Sequence, residues 1–387
     1  MTFSALPVAW RMLTHNTRRL LLSTAGVACA VLLMFAQIGF LNAMFDGATE
    51  LVRVLDADLI VTSSVKISLT STSGFPRGRL AQALAVGGVA RAEPLYIEIA
   101  SSWWKNPETG AARPIRVLAF DPDKPMFALP EVERAREALK VPETALVDVK
   151  SRALFGPLRP GVTTELARRE VRVVGVFSLG TDFANEGNVI VSARSFGRYF
   201  PHRRSADGDL EGVELGVIRL APGADAEEVR AALRRVLPQD VVVFTKDEFM
   251  GRERSYWQRN TPIGFIFGLG TGVGFVIGVI ICYQILFTDV ADHLPQFATI
   301  KAIGYGNGYL AALVLQEAAL LAALGFAVGV ACSQALYWWL ARLTGLPMYL
   351  THGRVGLVFG LTVLMASVSA LLAVRKAMAA DPAEVFG

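Results

Sequence analysis

From Pro262 to Thr288 the chain carries no charged side chain at all. As an α-helix this run would be roughly 40 Å long, more than the ~30 Å hydrocarbon thickness of a bilayer. Three further runs have the same character: Leu20 to Phe45, Tyr309 to Leu340 with Glu317 as its only charge, and Val355 to Val374. A water-soluble fold of this size has no interior for four such segments, so they predict four transmembrane helices. The composition agrees, with 53% hydrophobic and only 19% charged residues in 387.

Charge around the first run sets an orientation. Arg18 and Arg19 precede it, and Asp46, Glu50, Asp56 and Asp58 follow it, which places the N-terminus in the cytoplasm. The run is far longer than the apolar core of a cleaved signal peptide, so it reads as a permanent anchor. Four spans return the C-terminus to the cytoplasm, where Arg375 and Lys376 close the last one; Arg342 and Arg354, flanking a short outer loop, run against the rule. The expected organisation is a cytoplasmic amphipathic segment 1–19, spans 20–45, 262–288, 309–340 and 355–374, an extracytoplasmic domain 46–260, a cytoplasmic loop 289–308, a short outer loop 341–354 and a cytoplasmic tail 375–387. A multi-pass membrane protein is the class implied.

The segment between the first two spans is large enough for one or two folded domains. Alternating or β-branched runs predict strands at residues 59–61, 95–99, 115–118, 171–176, 189–191 and 241–244, with helical patches at 132–139 and 226–236. The extracytoplasmic domain is therefore expected to be α+β. Leu51, Val54 and Leu55 carry a helical stripe beyond the first span, and Thr245 with Glu248 forms a capping box that should open a helix running through Phe249, Tyr256 and Trp257 into the second span.

Chemistry-bearing motifs are sparse. No Gly-Lys pair occurs, so there is no phosphate-binding P-loop; no nucleophile elbow is present; and the four histidines lie far apart without ligand spacing. No catalytic residue, metal site or cofactor is expected in this chain. The basic clusters lack interleaved aromatics and the net charge is only +4, which excludes a nucleic-acid binder. Cys29, Cys282 and Cys332 all fall in apolar runs and read as small core residues. The glycines of GLGTGVGFVIG follow no strand, so they read as helix-packing positions four apart: Gly264, Gly268 and Gly272, and Gly270, Gly274 and Gly278. Glu317, the one intramembrane charge, lies about 12 Å into its span and is expected to pair with a neighbouring helix end, alongside Gln316. A secondary transporter would show broken helices or repeated halves around a polar midplane, and neither is visible.

The loop DHLPQFATIKAIGYGNGY, residues 292–309, is richer than a turn needs to be. Pro295 suits a helix start and Gly304 its end. Between them Phe297, Ile300 and Ile303 or Gly304 fall three or four apart and make one apolar edge, with Ala298 and Ala302 small enough for close approach and Thr299, Lys301 and Tyr305 completing the segment. Such a helix is too short to be stable alone. A headgroup-resting helix would carry several basic residues, and this one has only Lys301 against Asp289 and Asp292. Docking of this helix in a groove of a cytoplasmic partner explains the pattern.

Several stretches carry a specific resemblance: AWRMLTHNTRRLLLSTAGVACAVLLMFAQIGF at the start, TALVDVKSRALFGP and FSLGTDFANEGNVIVS in the middle, SYWQRNTPIGFIFGLGTGVGFVIGVIICYQILFTDVADHLPQFATIKAIGY across the second span, and AVRKAMAADPAEVFG at the end. Over nearly its whole length the chain resembles the permease subunits of MacB/FtsX-like (type VII) ABC transporters, and within them the DevC-like exporter permeases. The resemblance implies a homodimer served by a separate ABC ATPase subunit that binds the ATP and Mg, with residues 295–305 as the coupling helix. It also implies a multi-pass protein of a bacterial inner membrane, with a HlyD-type periplasmic adaptor and a TolC-like outer-membrane channel. Spans almost free of charge offer no hydrated path for a polar solute, so they are better suited to transmit force than to conduct, and the resemblance implies efflux of a lipid-like or amphiphilic cargo driven from the outer domain. An FtsX-like machine that switches a periplasmic partner without transport is the alternative, and a receptor without an ATPase is a third class that leaves the 292–309 loop unexplained.

Overall fold

The computed structural model describes Trp10 and residues 17–378. Most of the expected 1–19 segment and the end of the 375–387 tail lie outside the described residues. The chain divides into two compact units: a span unit of residues 1–42, 262–339 and 348–387, and a sheet unit of residues 43–261 and 340–347.

The sheet unit is built on eleven strands: β1 (Leu59–Ser63), β2 (Val89–Glu98), β3 (Trp103–Lys105), β4 (Ala112–Pro114), β5 (Arg116–Phe120), β6 (Thr144–Asp148), β7 (Thr163–Leu166), β8 (Arg169–Phe177), β9 (Asn188–Ser192), β10 (Leu215–Leu220) and β11 (Val241–Thr245). Their order is β11-β1-β10-β2-β5-β9-β6-β8-β7-β3-β4. Only β5 with β9 and β6 with β8 run parallel. β2 joins the two halves, pairing β10 through Val89–Leu95 and β5 through Tyr96–Glu98. Both faces are covered, which is why β1, β5, β6 and β9 are buried at every residue. Val117 and Ala119 enter one core with Leu80 of α2 (Gly78–Leu84), Phe196 of α4 (Ala193–Tyr199) and Leu233 of α5 (Ala226–Val236). Leu118 and Phe120 enter the other, with Leu51 and Val52 of α1 (Thr17–Arg53), Leu55 just beyond it, Val132 of α3 (Pro130–Leu139) and Phe249 of α6 (Lys246–Asn260).

The six strands and two helices expected from the sequence are present. β3, β4, β6, β7 and β10 were not legible: two are three residues long, and TALVD and LGVIRL are short apolar runs without alternation. The capping box on Thr245 and Glu248 forms as expected. The helix it opens does not run into the second span. It stops at Asn260, and Thr261 is extended (φ −129°, ψ 144°), because Pro262 drives the preceding residue out of the helical region.

After β1, the segment 64–77 is held by buried polar groups. The Lys66 ammonium, 1% exposed, donates to the carbonyls of Ser71 and Ser73, and Glu253 of α6 accepts from Leu69 N–H at 2.8 Å. Nearby, Arg203 bridges Glu214 at 2.6 Å and Glu98 at 3.2 Å. Burial pushes the carboxyls of Glu214 and Glu253 up to about 7 and pulls the Lys66 ammonium down to about 8.

The span unit contains the first part of α1, then α7 (Ile263–Asp292), α8 (Leu294–Ala302), α9 (Asn307–Thr344) and α10 (His352–Met378). Four of these are long and apolar enough to cross a membrane. Their shared core joins Cys282, Leu286 and Val290 of α7, Phe297 of α8, Leu313, Val314 and Leu321 of α9, and Ala370 and Val374 of α10. Gly325 and Gly329 of α9 lie against Val27 and Val31 of α1 so closely that a Cβ on Gly329 would come 2.6 Å from the Val31 side chain. Tyr337 of α9 donates its hydroxyl to the carbonyl of Phe35 in α1. Small residues at helix contacts, with a buried hydroxyl satisfied across the interface, are how apolar spans associate where water gives no hydrophobic drive.

Candidate coupling site

The loop between α7 and α9 folds as a short helix with well-formed ends. Pro295 sits in the first turn of α8, where its missing N–H costs nothing. At the other end Gly304 takes φ +104°, its N–H bonds the carbonyl of Lys301 at 2.9 Å, and Tyr305 N–H bonds that of Ile300 at 3.2 Å. This paired arrangement satisfies the last carbonyls and turns the chain back toward α9.

The orientation of α8 differs from the sequence reading. Phe297 and Ala298, expected on the docking edge with Ile300 and Ile303, are 1% and 0% exposed and pack into the core of the spans. Ile300 is half-buried against the same core. The correction follows from the neighbours: Leu286 and Val290 at the end of α7, with Leu310 and Val314 at the start of α9, offer α8 an apolar floor, and the bulkiest side chain of the helix takes it. The face left open consists of Pro295, Gln296, Thr299, Ala302 and Ile303, continued by Gly304 and Tyr305; Ile303 is 71% exposed and Tyr305 45%. Lys301 is half-buried between these faces.

The glycines of α7 divide in the same way. Gly270 approaches Gln37 of α1, Gly274 approaches Leu33 and Met34, and Gly278 lies against Ala30 and against Met365 of α10. At Gly264, Gly268 and Gly272 a Cβ would meet nothing within 4 Å, and Phe265, Ile266, Leu269, Val273 and Val276 around them are exposed. One stripe packs inside the chain and the other faces outward.

A polar cluster adjoins α8. Arg19 of α1 pairs with Asp289 at 3.1 Å and Asp292 at 2.6 Å, both in the last turn of α7. His293, the residue between α7 and α8, lies 3.6 Å from Asp289. Glu317 of α9 is 2% exposed and its carboxyl faces that of Asp289. The sequence reading set Glu317 against a neighbouring helix end but did not pair Arg19 with Asp289, because residues 270 apart in the chain give no local signal of pairing. Gly325 and Gly329 were missed too, although GFAVG stands in plain text. Among the described residues no group of His, Cys, Asp or Glu could hold a metal ion.

Two family models match the chain. The MacB-like periplasmic core domain covers residues 20–236, and the FtsX-like permease C-terminal covers residues 265–382. Two curated relatives, uncharacterized ABC transporter permeases from Mycobacterium tuberculosis strains CDC 1551 and H37Rv, are 24% identical over 391 residues, covering 100% of this chain and 99% of each relative. Solved structures similar in part include the periplasmic region of MacB from Actinobacillus actinomycetemcomitans, 8% identical at a TM-score of 0.36 over 51% of this chain and 92% of that one. A domain of a putative permease from Porphyromonas gingivalis is 16% identical at 0.34, over 53% and 98%. With one model spanning more than half of the chain and the second taking up most of the remainder, this chain belongs to the MacB/FtsX-like family of ABC transporter permeases.

Proposed function

We propose that the chain is the permease subunit of an exporter of the MacB/DevC type, carrying motion from a separate ATPase to its outer domain to expel a lipid-like or amphiphilic cargo. Both termini face the cytoplasm, the sheet unit faces the periplasm, and ATP and Mg are bound by the partner. The observation that supports this best is α8: a helix anchored on one face in the core of the spans and presenting Ile303 and Tyr305 on the other. An open face ending in exposed Ile303 and Tyr305 and held out by a fixed base suits seating in a groove of a partner, and the base lets a push on that face reach the spans. The outward stripe at Gly264, Gly268 and Gly272 supports self-association as a homodimer. A HlyD-type adaptor and a TolC-like channel complete the path in this reading, and the charge-free spans favour transmission of force over conduction. Co-purification tests it: the chain should capture its partner ABC ATPase, Ile303→Asp should abolish capture while the variant stays inserted, and equal capture by wild type and variant would refute the role of α8.

A further inference from the structure

We propose that the open face of the sheet edge formed by β7, β3 and β4 is a binding site for an acidic saccharide, with Trp103 as its stacking platform and Arg168 as its anion anchor; the site lies wholly within the sheet unit and does not depend on the exporter reading. β4 is the last strand of the sheet, with β3 beside it and β7 next. Register sets Trp103 opposite Pro114, Lys105 opposite Ala112 and Trp104 opposite Leu166. Strand alternation sends Trp104 and Leu166 inward, both 0% exposed in the core, and leaves Trp103, Lys105 and Glu165 on the other face. Together with Ala112 and Arg168 they line a cavity of about 330 Å³, at the lower end of the range for small-molecule sites.

The turn that brings Arg168 there is held against its own preference. β7 passes to β8 through two residues, Ala167 and Arg168, with Leu166 paired to Arg169. Both are in the left-handed region, at φ +51° and +63°. A hairpin turn of this kind ordinarily takes Asn-Gly, because a side chain there strains the backbone. The Ala167 N–H donates to the carbonyl of Trp103 at 2.9 Å, and the Thr164 hydroxyl donates to that of Lys105, so the turn and the stacking strand are fixed to each other. Strain of this kind gathers at ligand clamps and other functional sites. The chemistry of the lining names the ligand. Lys105 pairs with Glu165 at 2.5 Å, and Arg168 stands exposed beside them, so two cations meet one carboxylate and an anion is favoured. A guanidinium takes a carboxylate or phosphate in bidentate fashion. The indole of Trp103, 49% exposed, offers a flat face to the C–H side of a ring. An ammonium next to a carboxylate supplies donors and an acceptor to adjacent hydroxyls, which a sugar possesses and a flat aromatic acid lacks.

The test is a titration of the full-length chain in nanodiscs with D-glucuronate, followed by saturation-transfer NMR, with D-glucose and benzoate as comparisons that lack the acid and the hydroxyls respectively. Glucuronate should bind saturably and about tenfold more tightly than either, the worth of one charge-assisted contact. Trp103→Ala should weaken glucuronate by about tenfold with an unchanged melting profile, since Trp104, not Trp103, is the core residue here. Arg168→Gly should erase the preference for glucuronate over glucose and, by removing a side chain from the left-handed region, melt no lower than wild type. Absence of saturable glucuronate binding by the wild type would overturn the site. So would benzoate binding as tightly as glucuronate, or wild-type affinity and preference retained in both variants.

Discussion

Glu253 and Lys66 illustrate how much a single buried side chain decides in the sheet unit. Both tie down the segment after β1, and burial opposes the charge of each. For Glu253 and Glu214, raised to about 7, the folded state holds protons that the unfolded state has released, so stability falls as pH rises from the ordinary carboxylate range to about 7. For Lys66, lowered to about 8, the unfolded state holds the extra proton, so stability rises again from about 8 toward the ordinary lysine range. The sheet unit should thus be least stable between pH 7 and 8. Thermal unfolding of the full chain in detergent, followed through the tryptophans, should give a higher midpoint at pH 5.5 than at 7.5. Glu253→Gln, which keeps an acceptor for Leu69 N–H, should raise the midpoint at pH 7.5 and flatten the profile; an unchanged slope would show that Glu253 is not the titrating group.

The helices divide into faces with different duties, and substitutions should separate them. Gly329→Val drives a branched side chain into Val31 of α1, and overpacking of this kind costs about 1–3 kcal/mol, so the variant should melt several degrees lower or fail to accumulate. Gly268→Val meets open space and should fold as wild type, while weakening self-association measured by crosslinking in membranes. On α8 the contrast is between Ile300 and Ile303. Ile300→Asp should damage the span core as well as partner capture, whereas Ile303→Asp should affect capture alone, with an unchanged melting profile. The sequence revealed that α8 exists, where it starts and where it ends, because proline and glycine act locally. It did not reveal which face is buried, since a helix with apolar residues at 297, 300 and 303 can turn any of them inward, and only the floor supplied by α7 and α9 decides. The same holds for α6: its capping box was readable, while the break at Thr261 required giving Pro262 more weight than the apolar run around it.

At the scale of the whole molecule, the four spans were legible from the absence of charge alone, and the strands of the sheet unit from alternation. The eleven-strand order was not, because β1 pairs with β10 and β11 across more than 150 residues, and β5 with β9 across about 70. The ion pair between Arg19 and Asp289 belongs to the same class of long-range pairing. What unites these parts is sidedness: the account needs the open face of α8 and the sheet unit on opposite sides of one membrane. Cysteines placed at the exposed positions Ala206 and Thr299 measure this directly, scored against the unsubstituted chain. With an impermeant maleimide and only the outer membrane permeabilised, Ala206→Cys should be labelled and Thr299→Cys should stay unlabelled until the inner membrane is opened; labelling of Thr299→Cys in intact cells, or of both sites together, would contradict the account.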